Sequence, residues 1–272
     1  MAQNTTVGDA LQYDSCGIAS LLKEDIKNSI KLEVVDETQS TNDDLKRSAV
    51  TEGISKTVRI ARSQSGGRGR RGHSFFSPTS GIYMSILLPC SIDSSNVGLM
   101  TAATSVAVSR AIKSVCNIET RIKWVNDLQL EDGKKICGIL AEGISFANEK
   151  LTAAVIGIGI NVAHPKDGFP TDIADVAGAL YEQADDEIKT RLAAAIINEL
   201  LPGLDALPQN TEFIEEYRSR SSVIGRRVRV LAGDNTREAL ATGIDDSCRL
   251  LVRYDDGAQE ALFSGDVSVR PM

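Results

Sequence analysis

Residues 57–88 read TVRIARSQSGGRGRRGHSFFSPTSGIYMSILL. Residues 57–61 (TVRIA) are apolar and β-branched enough for a strand, and residues 81–88 (GIYMSILL) for another, closed by Pro89. Between them, residues 66–72 hold four glycines and three arginines, in a chain whose formal net charge is −7. Glycine lets main-chain N–H groups approach a ligand closely, and arginine adds permanently charged forks that match carboxylate and phosphate oxygens. Successive N–H groups in such a loop can also form an anion-binding concavity. From the loop alone two readings stay open: a solvated, flexible surface loop, or one that an anionic ligand orders.

Outward from this stretch the pattern is that of a mixed α/β fold. Residues 18–30 make one amphipathic helix candidate, residues 32–38 a strand, and residues 40–50 a helix with Ser40 or Thr41 as N-cap. Apolar positions at helical spacing mark residues 99–116, and longer and shorter helices follow at 187–201 and 213–220. Residues 121–124 and 127–130 read as strand segments around a sharp Asn126–Asp127 turn. Asp132–Gly133 is a hairpin signal, and residues 136–142 and 153–160 complete a mixed sheet. After Gly225 short alternating strands recur between Gly-Asp, Asp-Asp and Asp-Gly turns, which suggests a small β-barrel. The expected domains are 1–222 and 223–272.

The 272 residues, 42% hydrophobic and 25% charged, suit a globular enzyme of one large and one small domain. An acidic balance argues against a general nucleic-acid binder, and no apolar run is long enough to span a bilayer. The amino terminus has no basic region followed by an apolar one, so no secretory signal is read and a cytoplasmic protein is expected. Five dispersed cysteines without CxxC spacing fit reduced thiols, and two distant histidines give no metal site. GIGINV, residues 157–162, has Val162 where a dinucleotide fingerprint needs its third glycine. No GxxxxGK[ST] occurs, so neither common nucleotide motif is present.

Two further segments carry candidate chemistry. Lys123, in IKWVND beside the single tryptophan, is either a solvated strand-edge residue or a part-buried ammonium in need of an anion. Ser40, Thr41 and Asn42 gather hydroxyl and amide groups at one helix start. Capping accounts for the first two, and Asp43 and Asp44 offset the helix dipole, so a neutral polar ligand group suits this end better than an anion.

QSTNDDLK, RSQSGGRGRRGHSFFSPTSGIYMSILL, RIKWVNDLQL, KKICGILAE and VIGIGINV together, in this order and spacing, resemble the motifs of biotin protein ligases. The likeness is dense over residues 32–165, and residues 223–272 look like that family's SH3-like carboxy-terminal domain. It implies an α/β catalytic domain of the class II aminoacyl-tRNA-synthetase-like type. The implied reaction has two steps: biotin and MgATP give biotinyl-5′-AMP and pyrophosphate, and a lysine of a biotin carboxyl carrier domain of a carboxylase then takes the biotin.

By the same resemblance Ser40, Thr41 and Gln64 contact the bicyclic head of biotin, while Arg68, Gly69 and Arg70 wrap its tail and the adenylate phosphate. Lys123 bonds the biotin carboxylate and the α-phosphate, with Arg68 and Arg70 as its catalytic partners. Asn42, Gly67, Gly138 and Gly157 join the biotin site; Arg71, Phe75, Asn126 and Asn161 join the nucleotide site. Magnesium enters with ATP, with no resident metal. The chain departs from the common pattern at Val125, where many members have proline, and at Phe75, where tryptophan is common.

Repressor-type members carry an amino-terminal winged helix for which this sequence leaves no room, so neither DNA nor a membrane is an expected partner. A monomer or weak homodimer is expected. A lipoate or octanoate transferase shares the fold but should lack the GRGRRG loop. A non-enzymatic biotin-sensing regulator is opposed by the acidic charge.

Overall fold

The computed structural model describes residues 11–92, 97–145, 151–232, 235–263 and 268–271. Strands β1 (Lys31–Thr38) and β2 (Thr57–Gln64) pair in parallel across helix α3 (Thr41–Thr51). The remaining neighbours, β3 (Ile82–Ile92), β4 (Arg121–Lys123), β5 (Asp127–Gln129), β6 (Lys135–Ile144) and β7 (Leu151–Ile160), pair antiparallel. The resulting order is β1-β2-β3-β7-β6-β5-β4.

Period-two alternation decides what each face of this sheet meets. Met84, Ile86 and Leu88 of β3, with Ala154, Ile156, Ile158 and Ile160 of β7, enter the main core. Helix α5 (Asp186–Asp205) contributes Leu192, Ile196, Ile197 and Leu200 to that core. On the opposite face Leu87, Ala153 and Val155 pack against Leu45 and Ala49 of α3. Ser40 caps α3 by accepting the Asp43 N–H, as its side chain suggested.

Helix α4 (Val97–Cys116) is buried around most of its circumference because it lies between two cores. Met100, Ala103, Ala107 and Ile112 belong to the main core, while Leu99, Ala102 and Val106 belong to a second one. The second core is roofed by a five-stranded antiparallel sheet, β8 (Arg227–Ala232), β9 (Asn235–Ile244), β10 (Leu250–Tyr254), β11 (Gln259–Leu262) and β12 (Ser268–Pro271). Helix α6 (Phe213–Ser219) supplies Ile214 and Tyr217 to the same core.

Three local expectations need correction. The single helix over 18–30 is two short ones, α1 (Ser15–Ser20) and α2 (Glu24–Lys27). Asn198 of α5 holds the break, accepting the Lys23 N–H at 3.0 Å and donating to the Leu21 carbonyl at 2.9 Å. Ile18, Leu22 and Ile26 nevertheless share the buried face, so this segment caps the main core. Pro89 does not end β3, which pairs with Ala153 there and continues through a register shift to Ile92. From Leu88 onward β3 has no register partner on β2, a setting that tolerates a residue without N–H. The turn near 126 lies at residues 124–126, with Asp127 already in β5.

The five cysteines form no disulfide. Among the described residues no helix is long and apolar enough to cross a membrane. Ile196, fully buried between α5 and the sheet, reports on the main core. Ile196→Ala is expected to lower unfolding free energy by about 2–5 kcal/mol in denaturant titrations. A loss under about 1 kcal/mol would show that the main core does not depend on α5.

Candidate active site

A cavity of about 210 Å³ opens on the α3 face of the sheet, between the start of α3, the glycine-arginine loop and strands β3, β5, β6 and β7. Its floor exists because side chains are missing there. Gly138 and Gly159 are register partners on β6 and β7, and Gly157 stands opposite Leu140. A Cβ at Gly159 would lie 2.6 Å from the Phe75 ring, and one at Gly157 only 2.3 Å from Asn42 Oδ1. The GIGI run is therefore the strand interior that lets Phe75 and Asn42 approach, and not a phosphate-binding turn.

One end of the cavity is neutral and polar. Gln64 Oε1 accepts from the Thr41 N–H at 2.9 Å and lies 3.1 Å from its hydroxyl, and Gln64 Nε2 donates to Ser77 Oγ at 3.1 Å. Buried Ser85 lies 2.7 Å from the Thr41 hydroxyl and donates to Asn42 Oδ1 at 2.5 Å. Asn42 Nδ2 then donates to Glu142 Oε2 at 2.8 Å, which fixes which way its amide faces. Thr41, Asn42 and Gln64 thus meet in one network, beside Ser40 in the lining, with two residues the sequence did not single out, Ser85 and Glu142. Ser85 reads only as a strand residue in YMSILL, and its small polar side chain among apolar alternates was the available signal.

The other end is cationic. The loop closes on itself through an Arg68–Ser74 bridge, a Gly69 N–H to His73 carbonyl bond at 2.7 Å, and a 3-10 turn over Arg70–Gly72. Arg71 takes φ +56 and Gly72 φ +77 in that turn, the left-handed region that glycine enters most easily. Arg70 is half-buried and donates a long 3.4 Å bond to Asn126 Oδ1. Burial, and next the charge of Arg71, pull the Arg70 guanidinium below its usual pKa, and the opposing charge of Asp127 does not make up the difference. Such a cation gains from an incoming anion. Lys135 Nζ sits 2.7 Å from Asp127 Oδ1, at an angle outside a hydrogen bond, and 5.8 Å from the centre of the Phe75 ring. Sequence reading missed Lys135; it is the second of two lysines after the hairpin turn, and β6 begins with it.

Arg68 is tethered on the outer rim, with NH1 2.5 Å from Asp43 Oδ1 and NH2 3.7 Å from Glu142 Oε1. Three sequence-derived site residues lie outside the lining. Gly67 sits behind it, where a Cβ would fall 2.4 Å from both the Phe75 carbonyl and Ser77 Oγ. Asn161 is buried and turned away, donating to the Gly178 carbonyl at 2.9 Å, so it ties β7 to the following loop and does not meet the other candidates. Lys123 is half-buried on β4, directly opposite Asp127. Directly opposed residues share a face, so Lys123 stands on the cavity side of the sheet next to the lining.

Two predictions follow from these contacts. Gly159→Ala is expected to displace Phe75 and weaken ligand binding by at least about tenfold, measured by calorimetry; unchanged affinity would mean that the glycine floor does not shape the cavity. Burial of Asp43 works against its charge, yet hydrogen bonds and charges from Lys46 and then Arg68 outweigh it and hold the carboxyl below its usual range. The tether is therefore complete above the ordinary carboxylate value and is lost as pH falls through the lower folded one. Carboxyl NMR should place the Asp43 midpoint below that of an unperturbed aspartate and move it upward in Lys46→Ala. A wild-type midpoint at or above that of an unperturbed aspartate would contradict the tether.

Comparison with known proteins gives this geometry a family. The profile of the biotin/lipoate A/B protein ligase family matches residues 32–161, and that of the biotin protein ligase C terminal domain matches residues 223–270. The biotin--[acetyl-CoA-carboxylase] ligase of Mycobacterium tuberculosis is 33% identical over 251 residues, spanning 87% of this chain and 88% of the relative. The bifunctional ligase/repressor BirA of Bacillus spizizenii is 30% identical over 244 residues, spanning 87% of this chain and 72% of the relative. Biotin protein ligase from Aquifex aeolicus in complex with biotin and ATP superposes with a TM-score of 0.73 at 25% identity, over 89% of this chain and 99% of that one. With a catalytic-domain match, a carboxy-terminal-domain match and relatives of this identity along most of its length, the chain belongs to the biotin protein ligase family.

Proposed function

We propose that the chain joins biotin to ATP as biotinyl-5′-AMP and then transfers the biotin to a lysine of a biotin carboxyl carrier domain. The observation that carries this reading is the polarity of the cavity: a neutral hydrogen-bonding end at Ser40, Thr41 and Gln64, and a cationic end where Arg70 is desolvated beside Arg71 and Lys135 is paired with Asp127. Biotin has the matching shape, with a ureido ring at one end and a carboxylate at the other. The aquifex relative, solved with biotin and ATP, supports the same pairing of ligands.

In the first step a biotin carboxylate oxygen bonds to the α-phosphorus while the α–β phosphoanhydride bond breaks and pyrophosphate leaves. Two anions must meet, so cationic shielding and positioning are the main catalytic needs. Arg70, Arg71 and Lys123 supply positive charge at this end, and Arg68 is available once an anion competes with Asp43. In the second step the neutral amine of the carrier lysine attacks the biotinyl carbonyl carbon, loses a proton, and AMP leaves. Phe75, filling the space over Gly138 and Gly159, screens the anhydride from water.

Magnesium arriving on the triphosphate needs one or two carboxylates, with phosphate and water as its other ligands. Asp127 would be the carboxylate that meets it, since it faces the lining, and its present partner Lys135, 2.7 Å from Oδ1, would then turn to the phosphates. Among the described residues no cluster of His, Cys, Asp and Glu could hold a resident ion.

Incubation with biotin, MgATP and a carrier domain is expected to add one biotinyl mass to one carrier lysine; transfer from lipoate with no biotin adduct would overturn the reading. Arg70→Ala is expected to slow biotinyl-AMP formation by roughly 10²–10³-fold. Lys123→Ala should also slow it, and by far more than it lowers stability in denaturant titrations. Wild-type accumulation of biotinyl-AMP in Lys123→Ala would remove that lysine from the chemistry.

A further inference from the structure

The turn that carries Asn126 and Asp127 into the cavity is anchored from the other core. Trp124, 4% exposed, donates from Nε1 to the Cys248 carbonyl at 2.9 Å. Tyr217 of α6, fully buried, donates its hydroxyl to the Val125 carbonyl at 2.8 Å. Two consecutive turn residues are thus bonded to the turn between β9 and β10 and to helix α6. Beyond them, Ile139 donates its N–H to the Asn126 carbonyl and accepts from Asn126 Nδ2, both at 2.9 Å. Asn126 Oδ1 receives Arg70, and Asp127 receives Lys135.

We propose that Tyr217 is a positioning residue: through the Val125 carbonyl it sets Asn126 and Asp127 against Arg70 and Lys135, so α6, together with the β9–β10 turn that holds Trp124, governs the cationic end of the site and leaves the polar end untouched. Burial pushes Tyr217 ionisation well above its usual value, so the phenol remains a donor at working pH, and the charges of Arg70 and Asp127 both reach it. Without the hydroxyl, the ring keeps its packing but Val125 is left with a buried carbonyl lacking that donor, which favours a shifted turn. The Thr41–Gln64–Ser85 network lies on β2, β3 and α3 and shares no bonded partner with this clamp, so the two ends should respond independently. The identity of the ligand at the cationic end rests on the ligase reading; the mechanical link does not.

The test uses Tyr217→Phe and, as a second lesion of the same clamp, Trp124→Phe in the full chain. Both are expected to lower kcat/KM for ATP in biotinyl-AMP formation by about tenfold, with a clearly smaller loss of biotin affinity, because only the carboxylate of biotin meets the cationic end. Amide exchange should quicken at Ile139, bonded to Asn126, and hold steady at Thr41, bonded to Gln64. Equal losses for ATP and biotin, or a folded variant with wild-type ATP kinetics and wild-type Ile139 exchange, would overturn the proposal. If the wild-type protein formed no biotinyl-AMP, the ligase reading would fall, and the Ile139 against Thr41 comparison would still decide the link.

Discussion

A hollow on one face of the seven-stranded sheet is the constraint on which the rest of this structure depends. Gly138, Gly157 and Gly159 give up side chains on one face only, and in doing so admit the Phe75 ring and the Asn42 amide. Glycine weakens a strand, since it packs nothing and loses more entropy on folding. The opposite face offsets that loss: Ile156, Ile158 and Ile160 alternate with the glycines and are buried in the main core. β7 thus holds the sheet together with one set of residues and opens the site with the other.

Charge is distributed around this hollow so that cations are held but not saturated. Asp43 and Glu142 engage Arg68 and Lys46 at the rim, where water also screens them. Deeper in, Arg70 is desolvated beside Arg71 and has Asn126, a neutral partner, at its guanidinium. An anion entering from solvent therefore gains more from the inner arginine than from the outer one. That gradient gives a direction to binding: the neutral polar end orients a ligand, and the inner cationic end receives its charge.

Much of this was legible before folding. The strands around the loop, the Ser40 cap and the Asp132–Gly133 hairpin follow from local residue chemistry, and the family motifs brought Thr41, Gln64, Arg70 and Phe75 to one place. What escaped the sequence depends on distant partners. The 18–30 helix has correctly spaced apolar residues but is broken by Asn198, 175 residues from Lys23. Asn161 carries a motif position yet commits its amide to Gly178. Ser85, Glu142 and Lys135 look ordinary in their strands, and only strand register brings Lys135 into the lining and the other two to the residues that line it. The anchoring of Val125 by Tyr217 joins residues 92 positions apart, which no local pattern announces.

Crystals grown with biotin and a non-hydrolysable ATP analogue test the central claim most directly. The ureido ring is expected at the Ser40–Thr41–Gln64 end, with the carboxylate and α-phosphate together beside Arg70 and Phe75 across the glycine floor. A reversed biotin, or ligands bound away from the Gly138–Gly157–Gly159 hollow, would contradict it.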